Sequence, residues 1–412
     1  MSKLAIQGGA QAAATLKMPD WPTLTDEDRQ SVMETLETKE WGRLIPNSRT
    51  EAFEKAYADY HDARHAIAVS NGTVALELAL LAAGIRPGDE VLVPAITFIA
   101  SAGAIVRVGA IPIFVDSDPE TLAISAPAVE ASITPRTRGI VAVHYGGYPV
   151  DFDALLPIVK KHDLVLVEDC AHAQGTAWRG RKVGALGHFG TFSFQQSKSL
   201  SSGEGGIVLT NDDGLAEEAR LYHNIGRVVG RPGYEHLVLA SNYRLPELSA
   251  ALLLSQFSRL QKQVEQRMRG SSFLADELEA IGGIKPLKPD PRITQRGYYF
   301  MVLRYDRTQF ADVPLGQFIK ALRAEGVPCS SGYGMPLYKQ PAFQGEHVAD
   351  LLGRSTEDIP DYSNLFLPVA EHFCAEEQIT LPHELLLAGH NELQMIVDAI
   401  AKIKANAGEL AV

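Results

Sequence analysis

Seven short apolar runs, separated by helical patterns, constrain this 412-residue chain more than any other feature. They occupy residues 66–70, 90–94, 111–116, 139–144, 164–169, 190–194 and 206–210. Several are almost continuous in Val, Ile, Leu and Ala, as expected for strands buried on both faces. Helical patterns lie between them at 73–83, 99–108, 151–162 and 214–222. Pro87-Gly88-Asp89 precedes one return to strand, and a turn-like Gly146-Gly147 follows another. This rhythm predicts an α/β fold with a mostly parallel central sheet and right-handed crossovers.

The texture changes near Pro246. Residues 248–281 read as one long helix, followed by a strand at 298–305 and helices at 315–325 and 390–404. The expected division is a large α/β domain over 1–255 and a smaller α+β domain over 256–412. The stretch 330–363, rich in Gly, Pro and Tyr, reads as a loop able to close over a ligand.

Composition excludes several classes. Hydrophobic residues make up 46% and charged residues 21%, as in an ordinary globular protein. A net charge of −12 argues against nucleic-acid or anionic-membrane surfaces. No apolar run approaches the ~20 residues that span a bilayer, and no secretion signal is expected. The three cysteines, Cys170, Cys329 and Cys374, are far apart and odd in number. They point to a reducing, cytoplasmic compartment. Glu168, Asp169, Cys170 and His172 cluster at a strand end and turn, without the spacing of a metal site, so no metal is expected.

Lys198 follows an apolar run and precedes the Gly-rich turn Gly203-Glu204-Gly205-Gly206. Alone it reads as a surface lysine. Asp169 ends another apolar strand, where a carboxylate needs a partner. Together they describe a pyridoxal 5'-phosphate (PLP) site: a Schiff-base lysine and an acid that holds the protonated pyridine. Gly72 and Thr73 open a helix, where free N–H groups and the dipole favour a phosphate; a plain N-cap turn is the alternative. Ser193 can add a hydroxyl or be a structural strand serine. Phe98 follows a strand at the sheet's carboxyl edge and can stack on a flat cofactor or pack in the core. His172 can reach a ring oxygen or be a structural histidine.

In their order and spacing these pieces resemble the fold-type I PLP enzymes, and within them the sugar aminotransferase family often called DegT–StrS. The resemblance rests on Asn71-Gly72-Thr73, Pro94-Ala95-Ile96-Thr97-Phe98, Glu168-Asp169-Cys170-Ala171-His172, the run from Phe192 to Lys198, Gly203-Glu204-Gly205-Gly206 and Asn242-Tyr243-Arg244. It covers nearly the whole chain and implies the aspartate aminotransferase-like fold. By resemblance, Lys198 carries the cofactor and shuttles protons, and Asp169 pairs with the pyridine nitrogen. Phe98 stacks on the ring, and His172 lies near its hydroxyl. Gly72, Thr73 and Ser193 bind phosphate. Asn242 reaches the phosphate of the neighbouring subunit, which implies a homodimer, and Arg244 helps anchor the donor carboxylate. One departure is Asn71, where the family often has serine.

The segments 194–198 and 332–338 look most like the branch that aminates scyllo-inosose-type cyclitols with glutamine as donor. Tyr333 and Tyr338 are then candidates to face a polyol, or else pack a lid. Glutamate as donor and a nucleotide-linked keto-sugar as acceptor remain open, as does an aromatizing enzyme of the aminohydroxybenzoate type. Lys198 argues against the dehydratase offshoot, which has histidine there. The charge and the lack of an added domain argue against a PLP-binding regulator.

Overall fold

The computed structural model describes residues 3–228, 230–231 and 234–410. All seven apolar runs become strands of one sheet: β1 (His65–Val69), β2 (Glu90–Pro94), β3 (Ile111–Val115), β4 (Thr137–Val143), β5 (Val165–Asp169), β6 (Phe189–Ser193) and β7 (Gly206–Thr210). Their order is β1-β7-β6-β5-β4-β2-β3. β7 runs antiparallel to both of its neighbours, and every other pairing is parallel. Alternate strand residues feed two cores. Val91, Val93, Val141 and Val143 pack on one face, and Leu92, Ile140, Ala142 and Leu166 on the other. Burial of both faces explains why these strands show no polar alternation.

A second, antiparallel sheet contains β8 (Ile284–Pro286), β9 (Phe300–Tyr305) and β10 (Gln378–Pro382), with β9 in the middle. It shares a third core with the helices Leu315–Ala324 and His390–Ala405. The cores do not follow chain order. Leu4 and Ala13 join the third core, while Leu337, Tyr338, Phe343 and Tyr362 join the first. The stretch 330–363 is therefore pinned rather than a free flap. The Leu337 N–H donates to the Ala95 carbonyl at 2.8 Å, and the Tyr362 hydroxyl donates to the Pro112 carbonyl at 2.8 Å.

The single long helix expected over 248–281 is two helices, Glu247–Phe257 and Leu260–Ile281. The Ser258 hydroxyl donates back to the Ser255 carbonyl at 2.7 Å, competing with the helical ladder. Arg259 turns to Asp28, which accepts from Nη2 at 2.8 Å. That ion pair draws the junction toward the N-terminal helix Asp26–Thr38. No helix among the described residues is long and apolar enough to cross a membrane. The three cysteines are free and buried.

Candidate active site

The parallel strands end on a common edge, and a cavity of about 660 Å³ lies there. Its walls are the segments that leave those strands: Asn71, Gly72 and Thr73 after β1, Thr97 and Phe98 after β2, Asp169 and His172 around the end of β5, and Ser193 to Lys198 after β6. Tyr299 and Tyr333 close it from the C-terminal half. This is the crevice where open α/β sheets bind ligands.

One end of the cavity is built for an anion. Asn71 caps the helix Gly72–Ala82, its side chain accepting from the Val74 N–H at 3.0 Å. Gly72 and Thr73 keep N–H groups with no acceptor among the described residues. Ser193 lies directly against this turn: a Cβ on Gly72 would stand 2.6 Å from the Ser193 Cβ. Free N–H groups, the positive end of a helix dipole and the hydroxyl-bearing Thr73 and Ser193 thus line the same end of the cavity.

Asp169 is 6% exposed. Its carboxylate accepts from the Ser101 hydroxyl at 2.7 Å and the Ala171 N–H at 3.1 Å. Ser101 is itself paired with Thr97 at 2.8 Å. Among the described residues Asp169 has no ion-pair partner within hydrogen-bond reach, a costly state for a buried carboxylate. The Lys198 amine lies 4.0 Å from the centre of the Tyr299 ring. Burial pushes its pKa down to about 8, against the opposing pull of the Asp169 charge.

His172 stacks on Tyr299, with ring centres 4.4 Å apart. Burial, and secondarily the Lys198 charge, hold its pKa well below the ordinary value, so the ring is neutral. Its Nδ1 accepts from the Gly146 N–H at 3.4 Å, which leaves the proton on Nε2 to donate to the Tyr333 hydroxyl at 3.2 Å. Phe98 is 51% exposed and lines the cavity, with its ring 6.0 Å from that of Tyr333. It is thus not buried in the core.

Eight residues singled out from the sequence meet in this cavity: Gly72, Thr73, Phe98, Asp169, His172, Ser193, Lys198 and Tyr333. Tyr338 does not, and the expectation that it faces a polyol is corrected. It is fully buried in the first core, and its hydroxyl donates to Glu371 at 2.5 Å. Asn242 is exposed and lies outside this chain's cavity. Arg244 is also outside it, with Nη1 donating to Asn224 at 2.8 Å.

His144, Glu168 and Cys170 bring possible ligand atoms within 4.8 Å of one another. Glu168, however, is saturated by N–H donors from Gly184, Leu186 and Gly187 at 2.6–2.8 Å and also meets His144. It serves as a structural anchor for that loop.

Sequence reasoning missed Ser101 and Tyr299. Ser101 had one signal, a polar residue in the first turn of an apolar helix. Tyr299 had none: the strand expected over 298–305 included it as an ordinary strand residue, whereas β9 begins only at Phe300.

The sequence model of the DegT/DnrJ/EryC1/StrS aminotransferase family matches residues 22–385. The chain belongs to this family. It is 38% identical to a protein of Streptoalloteichus tenebrarius provisionally named L-glutamine:3-amino-2,3-dideoxy-scyllo-inosose aminotransferase, over 99% of each chain. It is 36% identical to the L-glutamine:2-deoxy-scyllo-inosose aminotransferase of Micromonospora echinospora, over 100% of each chain. Among solved structures, a 3-amino-5-hydroxybenzoic acid synthase superposes with a TM-score of 0.82 at 34% identity, covering 95% of this chain and 99% of that one.

As a member of this family the protein is a PLP-dependent aminotransferase. The cavity fits that cofactor on its own chemistry. It offers a phosphate cradle at Gly72, a buried carboxylate lacking a cationic partner at Asp169, and an amine with a lowered pKa at Lys198.

Proposed function

We propose that this aminotransferase moves the amino group of L-glutamine onto a keto-cyclitol of the scyllo-inosose type, and that it works as a homodimer. The observation that carries the acceptor is the end-to-end match to relatives whose names specify such cyclitols and glutamine. Tyr333 supports it, since its hydroxyl is placed at the cavity wall beside His172.

Bound PLP supplies an electron sink that makes the C–H bond beside the donor nitrogen acidic. The protein does the rest. Lys198 would hold the cofactor through its Nζ, and as a free amine that Nζ would take that proton and return it. An amine with a pKa near 8 is free base often enough at neutral pH to do this. The Asp169 carboxylate keeps the ring nitrogen protonated, and Ser101 and Ala171 hold that carboxylate in place. Gly72, Thr73 and Ser193 hold the phosphate. Phe98 and His172, both in the cavity wall, would cover one face of the ring and approach its hydroxyl. Asn242 completes the phosphate site of the neighbouring subunit, and Arg244 helps anchor the donor carboxylate. Donor and acceptor use the same cavity in turn, so the kinetics are ping-pong.

The likeness to 3-amino-5-hydroxybenzoic acid synthase favours a second reading, an aromatizing enzyme of the aminohydroxybenzoate type. A donor–acceptor panel separates the two, and separates both from a nucleotide-keto-sugar enzyme. Glutamine and glutamate are each paired with 2-deoxy-scyllo-inosose, its 3-amino derivative, a nucleotide-linked keto-sugar and a dehydratable aminoketone. Glutamine with a scyllo-inosose should exceed every other pair in kcat/KM by about tenfold or more. Turnover confined to the nucleotide sugar, or an aromatic product, rejects the proposal.

A further inference from the structure

Three side chains from distant parts of the chain converge on the peptide groups that carry Lys198. Trp21 donates its indole N–H to the Lys198 carbonyl at 3.2 Å. His383, just past β10, donates from Nε2 to the Ser197 carbonyl at 3.0 Å. Arg267, on the helix Leu260–Ile281, donates from Nη2 to His383 Nδ1 at 3.1 Å. The three also pack on one another. Trp21 meets His383 edge-on with ring centres 4.8 Å apart, and the Arg267 guanidinium lies 5.0 Å from the Trp21 ring centre.

Arg267 is 0% exposed, and its Nε and Nη1 have no acceptor among the described residues. A buried, under-partnered guanidinium is expensive, and an apolar side chain of similar size would fill the space without that cost. What the arginine adds is direction. A guanidinium only donates, so His383 Nδ1 must accept and the single ring proton must sit on Nε2, facing Ser197. Burial and the Arg267 charge hold the His383 pKa well below its ordinary value, so the ring keeps one proton. The opposite tautomer would set a lone pair against the carbonyl oxygen.

We propose that Trp21, Arg267 and His383 are positioning residues for Lys198, fixing two successive carbonyls so that the lysine side chain enters the cavity on a set course. The inference rests on the reading of Lys198 as the reacting amine. Other restraints on this loop are local, such as the Lys198 N–H donating to the Gln195 carbonyl at 2.8 Å, or reach only the residue before β9, as the Ser197 hydroxyl does in pairing with the Tyr299 hydroxyl at 2.9 Å. The clamp instead reaches the third core, because Leu274 of the Arg267 helix and Leu381 of β10 both belong to it. Arg267 and His383 thereby tie the lysine loop to that core. Displacing a reacting group by about 1 Å can cost on the order of 100-fold in rate, so such a clamp acts on kcat.

The test uses Trp21→Phe, which keeps a ring and deletes the donor, His383→Phe, which deletes both ring nitrogens, and His383→Gln, whose amide can restore an N–H toward Ser197. Steady-state kinetics are measured on holoenzyme, and hydrogen–deuterium exchange over residues 195–200 with and without cofactor. Trp21→Phe and His383→Phe should lower kcat about tenfold or more, leave both KM values within about twofold, and speed exchange in 195–200 alone. His383→Gln should recover most of the loss. Unchanged kcat and exchange would overturn the proposal. So would a fall in kcat accompanied by faster exchange throughout β9 and β10, which marks a packing role only. Borohydride reduction of the holoenzyme isolates the underlying reading: cofactor mass on any lysine other than Lys198 defeats that reading, whereas mass on Lys198 with inert clamp variants defeats the clamp alone.

Discussion

Lys198 is chemically unusual before any ligand arrives. Its amine sits against an aromatic face and is buried enough to bring its pKa to about 8, compared with about 10.4 for a free lysine. In cofactor-free protein, labelling of Lys198 by an amine reagent should therefore show a pH midpoint near 8. Because the Asp169 charge pulls the pKa upward, Asp169→Asn should move that midpoint lower still. A midpoint at the ordinary lysine value, or an upward move in Asp169→Asn, would contradict this account. The linked effect on stability has a definite sign. The unfolded chain binds the extra proton between about pH 8 and 10.4, so the cost of burying the amine is full below that window and fades as pH rises through it. Lys198 and Asp169 are legible in the sequence because one is a charge just after an apolar run and the other a charge that ends one. Tyr338 is misread for a related reason: near glycines and prolines a tyrosine suggests a loop, but its partner Glu371 is distant in sequence.

The sheet is legible at the scale of elements because strands buried on both faces leave continuous apolar runs, and β2 and β7 fall on the expected residues. The break at Ser258 is not, because the Arg259–Asp28 pair beside it joins residues 231 positions apart in the chain. The contact between the end of β6 and the helix Gly72–Ala82 is equally tertiary. Only a glycine lets Ser193 approach the helix start, since a Cβ at position 72 would sit 2.6 Å from the Ser193 Cβ. Gly72→Ala must push the two elements apart, and with them the free N–H groups from the Ser193 hydroxyl. Cofactor affinity, titrated by absorbance on cofactor-free protein, should fall about tenfold or more, in line with the loss of charge-assisted hydrogen bonds. The far-UV spectrum should stay near wild type. Undiminished affinity would show that the cradle at this helix start does not carry the phosphate.

The whole molecule leaves one feature that a single chain does not account for. Between Arg231 and Asn242 it exposes Tyr234, Leu237 and Leu239, the last at 99%. The proposed homodimer would cover these apolar groups, and no periodicity in the sequence announces them. Asn242 ends this segment and lies outside its own chain's cavity. If it completes the neighbour's phosphate site, sites can be rebuilt by mixing variants. Asn242→Ala alone should retain cofactor about tenfold less tightly, and Lys198→Ala alone should lack turnover. In a hybrid dimer one cavity then has both an intact Lys198 and an intact Asn242 from across the interface, while the other has neither. Tagged co-expression and purification of the hybrid should recover wild-type cofactor retention in half of the sites, together with activity. If Asn242 served its own chain's cavity, every hybrid site would carry one defect, and mixing would recover nothing. The result thus places the asparagine on one side of the interface or the other without requiring the acceptor to be known.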